Sequence, residues 1–166
     1  MKKSSRLIRT VCILVAVAVL ICIALMLPRY PSPEYSVSSY DELSGKIGRL
    51  CLLPEKDALP DTDGTYTVYV KARNSGKAVG YLISFSPAEN FGESLSISCK
   101  SLTALPEEWD GISPTESYGG TELSVTKDHT AFILNGFLYD IHGTKVTDAF
   151  SGYAMTIAQD IIDQSK

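Results

Sequence analysis

A run of eighteen residues without a charge, residues 10–27, constrains this chain most strongly. A helix of that length extends roughly 27 Å, which is close to the ~30 Å hydrocarbon core of a bilayer. Because a helix satisfies its own backbone hydrogen bonds in lipid, the run predicts a transmembrane helix. Four basic residues precede it between Lys2 and Arg9, and Arg29 is the next. The positive-inside rule therefore places residues 1–9 in the cytoplasm and everything after residue 27 outside.

A cleaved signal peptide is the alternative interpretation, because a basic start is common to both kinds of segment. Signal peptides have an apolar region of about 7–15 residues that ends in small residues. Here the region is longer and ends in Leu25, Met26 and Leu27. A lipoprotein signal would use Cys22, but the bulky Ile21 stands where a small residue is expected. The sequence favours a retained anchor, and every interpretation places the folded part outside the cytoplasm.

The rest of the chain divides into a proline-rich spacer, residues 28–38, and one domain, residues 39–166, long enough to bury its own core. Between residues 30 and 166 lie ten basic and nineteen acidic residues, a net charge of −9. Such a charge disfavours nucleic acid and anionic lipid headgroups as binding partners of the domain. We expect contact with the membrane through the N-terminal helix, a protein at the cell surface as the candidate macromolecular partner, and no nucleic acid.

Hydrophobic patterning predicts an α+β domain. Ser39 and Glu42 have the spacing of a capping box, which predicts a short helix at about residues 40–46. The apolar run RLCLL at 49–53 predicts a strand. Further strands are predicted at TYTVYVKAR, AVGYLISFS, SLSISCKSL, TELSVT, HTAFIL and FLYDI. Apolar residues at helical spacing predict a C-terminal helix, so we expect an antiparallel meander with both helices packed on one face.

Two of the four cysteines, Cys51 and Cys99, lie in the domain, and the other two lie in the predicted anchor. An extracytoplasmic location permits a disulfide, and a bridge between them would contribute about 3–4 kcal/mol by chain entropy. Two buried free thiols are the alternative, because Cys99 falls on the apolar face of its predicted strand. The sequence leaves both open, since it does not show whether the two Cα atoms approach each other.

Asn135-Gly136 is a strong hairpin signal that fixes the register of the strands it joins. A two-residue turn sets His129 opposite His142, with Asp140 diagonal to His129. Imidazole and carboxylate groups at this range are metal ligands, so these three residues form a candidate metal site. Exposed polar residues on a solvent face are the simpler interpretation, and a turn at His142-Gly143 would remove His142 from the pair.

Residues 103–120 predict a long irregular connection that holds the only tryptophan. Such connections often carry function, so Trp109 and Tyr118 are candidate binding residues, although a tryptophan more commonly fills a core. The stretch LPDTDGT, at 59–65, has two aspartates of a calcium loop. That alignment puts the first ligand on Leu59, so the stretch is interpreted as a turn.

Catalytic motifs give little support for an enzyme. Ser124 and Lys127 have the S-x-x-K spacing of penicillin-recognising enzymes, but they lie on a predicted strand and cannot share a helical face. The sequence shows no glycine-rich phosphate loop after a strand. We assign no catalytic residue and no cofactor.

The capped helix SYDELSGKIG, the strand GFLYDIHG and the helix AMTIAQDII follow the N-terminal anchor in order. In this pattern the chain resembles an uncharacterised family of membrane-anchored extracytoplasmic domains of Gram-positive bacteria. Members sometimes occur on anti-sigma-factor-like proteins. The resemblance covers roughly residues 39–165. It implies an α+β fold at the bacterial surface and carries over no catalytic residue.

We therefore expect a single-pass membrane protein that displays a non-catalytic binding or sensing domain outside the cell. A structural accessory subunit of a membrane or envelope complex is the first alternative, with the anchor helix as the main contact. A metal-dependent hydrolase that uses His129, Asp140 and His142 is the second.

Overall fold

The structure is a computed structural model that describes residues 34–61, 63–70, 77–86, 93–105, 109–144 and 152–166. The predicted transmembrane helix at residues 10–27 and the cytoplasmic tip lie outside these ranges. None of the helices within the ranges is long and apolar enough to cross a bilayer.

The described residues form an α+β fold with two helices and eight strands, as the patterning predicts. The helices are α1 (Tyr40–Ile47) and α2 (Tyr153–Asp163). The strands are β1 (Glu34–Val37), β2 (Gly64–Val70), β3 (Ala78–Phe85), β4 (Ser94–Ser101), β5 (Glu116–Tyr118), β6 (Thr121–Val125), β7 (His129–Leu134) and β8 (Phe137–Thr144). Two 3₁₀ turns, Lys56–Ala58 and Leu102–Ala104, follow α1 and β4.

All eight strands belong to one antiparallel sheet with the order β1-β2-β3-β4-β8-β7-β6-β5. The predicted single meander is therefore wrong, because the sheet consists of two meanders that meet where β4 pairs with β8. At that junction Ile97 lies opposite Ile141 and Cys99 lies opposite Tyr139, all four of them buried. Strands β4 and β8 thus form the centre of the sheet.

One face of the sheet carries the core. Both helices contribute to the same buried cluster, α1 through Leu43 and Ile47 and α2 through Ile157, Ala158, Ile161 and Ile162. Because side chains alternate along a strand, the opposite face presents the other set of residues. That open face includes Ser94, Ser96 and Ser98 of β4 together with Asp140 and His142 of β8.

Helix α1 begins at the predicted cap. The Ser39 side chain accepts a hydrogen bond from the Glu42 N–H at 3.2 Å. The Glu42 carboxylate in turn accepts from the N–H and the hydroxyl of Ser38, at 2.9 and 2.8 Å. These bonds lower the pKa of Glu42, and they fix the start of α1 at the edge of the sheet.

The strand predicted at residues 49–53 is wrong, since this apolar run forms a turn followed by irregular backbone. Its apolar residues are buried all the same, with Cys51 and Leu53 both in the core. Leu52 obtains its backbone hydrogen bonds from side chains, because its N–H donates to the Tyr139 hydroxyl and its carbonyl accepts from the Tyr81 hydroxyl. An apolar loop is stable here because these phenols replace a strand partner.

Candidate functional site

A cleft of about 720 Å³ lies at one end of the sheet. We call it the α1–β2 cleft, because the start of α1, the Lys56–Ala58 turn and the start of β2 enclose it. Its polar lining residues are Ser38, Ser39, Asp41, Lys56, Asp61 and Asp63. Its apolar and aromatic lining residues are Tyr40, Leu59, Pro60, Gly64, Tyr66 and Phe85. The cleft has the size of a site for a small organic molecule, for which about 300–1,000 Å³ is usual.

The charged groups of the cleft are three aspartates and one lysine, a net charge of −2. Lys56 Nζ pairs with Asp41 Oδ1 at 2.6 Å, but both side chains are more than half exposed. An ion pair this exposed contributes about 0–1 kcal/mol, so it leaves both groups available to a ligand. Asp61 and Asp63 are exposed as well. The arrangement favours a ligand that carries positive charge.

Two aromatic rings form part of the wall of the cleft. The Tyr40 and Tyr66 rings meet edge to face, with centroids 6.3 Å apart. The Tyr40 hydroxyl donates to the carbonyl oxygen of Pro54 at 2.5 Å. Burial, followed by the carboxylates of Asp160 and Glu55, raises the pKa of Tyr40 to about 12. Tyr40 is therefore a neutral donor at physiological pH, and its electron-rich ring faces the same space as the aspartates.

Lys56 shows that this ring is placed to meet a cation. Its ammonium nitrogen lies 5.4 Å from the centroid of Tyr40, within the range of a cation–π interaction. A positively charged group of a ligand can make the same contact and pair with a carboxylate at once.

Tyr118, predicted as a binding residue, contacts the C-terminal end of α2. Its hydroxyl donates to Asp163 Oδ2 at 2.9 Å, and the Lys166 ammonium lies 5.3 Å from its ring centroid. The hydrogen bond to Asp163 raises the pKa of Tyr118. Together these contacts tie β5 to the last turn of α2.

Trp109 is half-buried and lies outside the core cluster. Its ring comes within 3.9 Å of the position that a Cβ on Gly111 would occupy. The segment that follows it lines a second cleft of about 460 Å³, together with Ile133 on the open face of the sheet.

The histidine pair has the predicted register. His129 lies opposite His142, and their ring centroids are 6.0 Å apart. His129 Nε2 and Asp140 Oδ1 are hydrogen-bonded at 2.8 Å. The alternative turn at His142-Gly143 is wrong, because β8 continues to Thr144.

No three or more His, Cys, Asp or Glu side chains among the described residues are arranged to hold a metal ion. His129 and Asp140 instead bond directly to each other, and His142 projects into solvent from the open face. The described residues therefore do not support a metal site at His129, Asp140 and His142.

The two domain cysteines converge in the core. Cys51 and Cys99 are both buried and both free thiols. Burial, followed by the neighbouring Cys51, raises the pKa of Cys99, so residues that are far apart in sequence are neighbours in the fold.

The residues of the α1–β2 cleft are absent from the candidates that sequence reasoning selected. From the sequence, Asp61 and Asp63 are interpreted as turn residues, and no binding motif is attached to Lys56 or Tyr40. A possible signal was the acidic turn directly before a tyrosine-rich strand, since it puts carboxylates and aromatic rings at one sheet end. Only the fold brings Lys56 and the start of α1 to the same place.

Comparison with known proteins yields no match. Neither a family model, nor a curated protein, nor a solved structure matches this chain. The family resemblance described above stays a prediction, and we argue function from the geometry of the cleft.

Proposed function

We propose that the domain that begins with β1 at Glu34 is a non-catalytic binding or sensing domain, which a transmembrane helix at residues 10–27 displays on the outside of the cell membrane. Its ligand is a small molecule or peptide segment that carries positive charge. The observation that carries this proposal is the α1–β2 cleft, with three aspartates, one lysine and two tyrosines around about 720 Å³.

The chemistry of the lining supports a cationic ligand. A carboxylate next to an aromatic face attracts ammonium and guanidinium groups through charge and through the ring quadrupole together. Asp61 and Asp63 supply the charge, and Tyr40 and Tyr66 supply the rings. The hydroxyls of Ser38 and Ser39 add polar groups at the same edge.

A hydrolytic function has weaker support. The His129–Asp140 pair lies on the open sheet face, with side chains 34% and 44% exposed, and neither residue lines the cleft. A catalytic imidazole gains most from a site that excludes water and encloses the reacting group.

Ligand binding is tested by calorimetric titration of the full chain, purified in detergent, with spermidine as the cationic probe and citrate as the anionic control. We expect saturable binding of spermidine that weakens as salt is added, and no binding of citrate. Preference for citrate, or the absence of spermidine binding at low salt, would refute a cation site.

The location is tested separately by adding protease to intact cells. We expect digestion of a tag after Lys166 and protection of a tag before Met1. Protection of both tags would contradict an extracytoplasmic domain while leaving the binding result unaffected.

A further inference from the structure

A pair of thiols occupies the centre of the core, between the sheet and the loop that follows α1. Cys99 lies in the middle of β4, directly opposite Tyr81 of β3 and Tyr139 of β8. All three side chains point to the helix-covered face and are almost completely buried. Cys99 is thus flanked by two phenols.

The same two phenols fix the second cysteine. The Tyr81 hydroxyl donates to the Leu52 carbonyl at 3.1 Å, and the Leu52 N–H donates to the Tyr139 hydroxyl at 3.0 Å. Leu52 directly follows Cys51, so these bonds hold Cys51 above Cys99. The pairing of β4 with β3 and β8, together with the two hydrogen bonds of Leu52, therefore brings the two cysteines to the same part of the core.

The two cysteine residues differ in their exposure to solvent. Cys99 is 0% exposed, whereas Cys51 is 7% exposed. Cys51 also lines a pocket of about 140 Å³ that Arg49, Asn135 and Phe137 share. Cys51 is therefore the more accessible of the two cysteines.

We propose that Cys51 and Cys99 form a redox-active dithiol, which a small-molecule or protein disulfide oxidises to an intramolecular disulfide. The Cys51 sulfur attacks one sulfur of the oxidant R–S–S–R, whose S–S bond breaks and releases one R–S⁻, which takes up the Cys51 proton. The Cys99 sulfur then attacks Cys51 and displaces the second R–S⁻, which takes up the Cys99 proton. The protein loses two electrons and two protons, and the oxidant becomes two R–SH.

The order of attack follows from burial. Cys99 is completely buried, and burial raises the pKa of its thiol, so Cys51 makes the first attack. Closure of the bond ties the loop after α1 to the middle of the sheet. Because Pro54 in that loop accepts the Tyr40 hydrogen bond, oxidation also fixes one wall of the α1–β2 cleft.

The test uses the full chain in detergent with Cys12→Ala and Cys22→Ala, so that only the core pair remains. The protein is incubated with oxidised glutathione, quenched with acid, denatured and treated with a polyethylene-glycol maleimide. We expect two added polymers on the reduced protein and none on the oxidised protein, together with a mass loss of two hydrogen atoms. Retention of both reactive thiols, or two glutathione adducts, would overturn the proposal.

The order of attack is tested by single variants in the same background. Cys99→Ala should accumulate a glutathione adduct on Cys51, whereas Cys51→Ala should leave Cys99 unmodified while the protein remains folded by circular dichroism. Equal modification of both would refute Cys51 as the entry point. The measurement on the unsubstituted pair needs no change in the core, so it decides the proposal even where an alanine variant fails to fold.

Discussion

The hydroxyl groups of Tyr81 and Tyr139 bind the two backbone polar groups of one residue, Leu52. The two tyrosines flank Cys99 on adjacent strands, and both are buried. A loop without strand partners thereby obtains the hydrogen bonds that a buried backbone requires.

Removing the hydroxyl group of one of these tyrosines should lower the free energy of unfolding. Tyr139→Phe keeps the ring that stacks on Phe132 but leaves the Leu52 N–H without its acceptor. We expect a loss of about 1–2 kcal/mol in the free energy of unfolding, measured by urea denaturation. The control is Tyr35→Phe, at an exposed tyrosine, which should change the value by less than about 0.5 kcal/mol. Equal values for the two variants would show that the phenol is not needed.

Two glycines should respond in opposite directions to alanine. A Cβ on Gly80 would lie 1.9 Å from the backbone oxygen of Cys99, whereas one on Gly45 meets nothing within 4 Å. We expect Gly80→Ala to destabilise the protein by about 2–4 kcal/mol, because backbone must move. Gly45→Ala, inside α1, should stabilise it by about 0.5–1 kcal/mol. Thermal unfolding of both variants checks this, and a tolerated Gly80→Ala would contradict the close approach of β3 and β4.

Alkaline pH should weaken the fold through Tyr40. Its pKa is raised from 10.0 to about 12, so the unfolded chain releases this proton first. The stability that Tyr40 contributes is therefore complete below about pH 10 and is lost as the pH rises toward 12. The full pKa difference corresponds to ~2.7 kcal/mol. Since the side chain is half-exposed, solvent screens its charge, and we expect the free energy of unfolding to fall by about 1 kcal/mol.

Comparison of the wild type with Tyr40→Phe isolates this contribution. Between about pH 9 and pH 12, the free energy of unfolding of the variant should fall by about 1 kcal/mol less than that of the wild type, measured by urea denaturation. An identical alkaline loss in both proteins would mean that Tyr40 ionises equally in the folded and unfolded states.

Local chemistry made parts of this fold predictable from sequence. The Asn135-Gly136 turn has both residues at positive φ, 52° and 80°, and so fixed the pairing of His129 with His142. Ser39 and Glu42 fixed the start of α1 in the same way, because capping depends on residues close in sequence. The alternation around Cys99 correctly placed it on the buried face.

Long-range partners were not predictable. The run at 49–53 is apolar because Cys51 and Leu53 are buried, but its backbone partners come from tyrosines on β3 and β8. The pairing of β4 with β8, which divides the sheet into two meanders, likewise involves strands with no local signal for each other. The cleft was missed for the same reason, since Asp63 and Tyr40 meet only after the sheet has formed.

Removal of two cleft carboxylates tests the binding proposal most directly. Asp61→Asn with Asp63→Asn keeps the shape of the lining and removes two charges, while Asp110→Asn with Glu116→Gln removes two exposed charges outside the cleft. Spermidine affinity, measured by calorimetry on the full chain, should fall about fivefold in the first variant, since two partly exposed ion pairs contribute roughly 1 kcal/mol. It should stay at the wild-type value in the second variant. Equal affinity in both variants would contradict a cation site in the α1–β2 cleft.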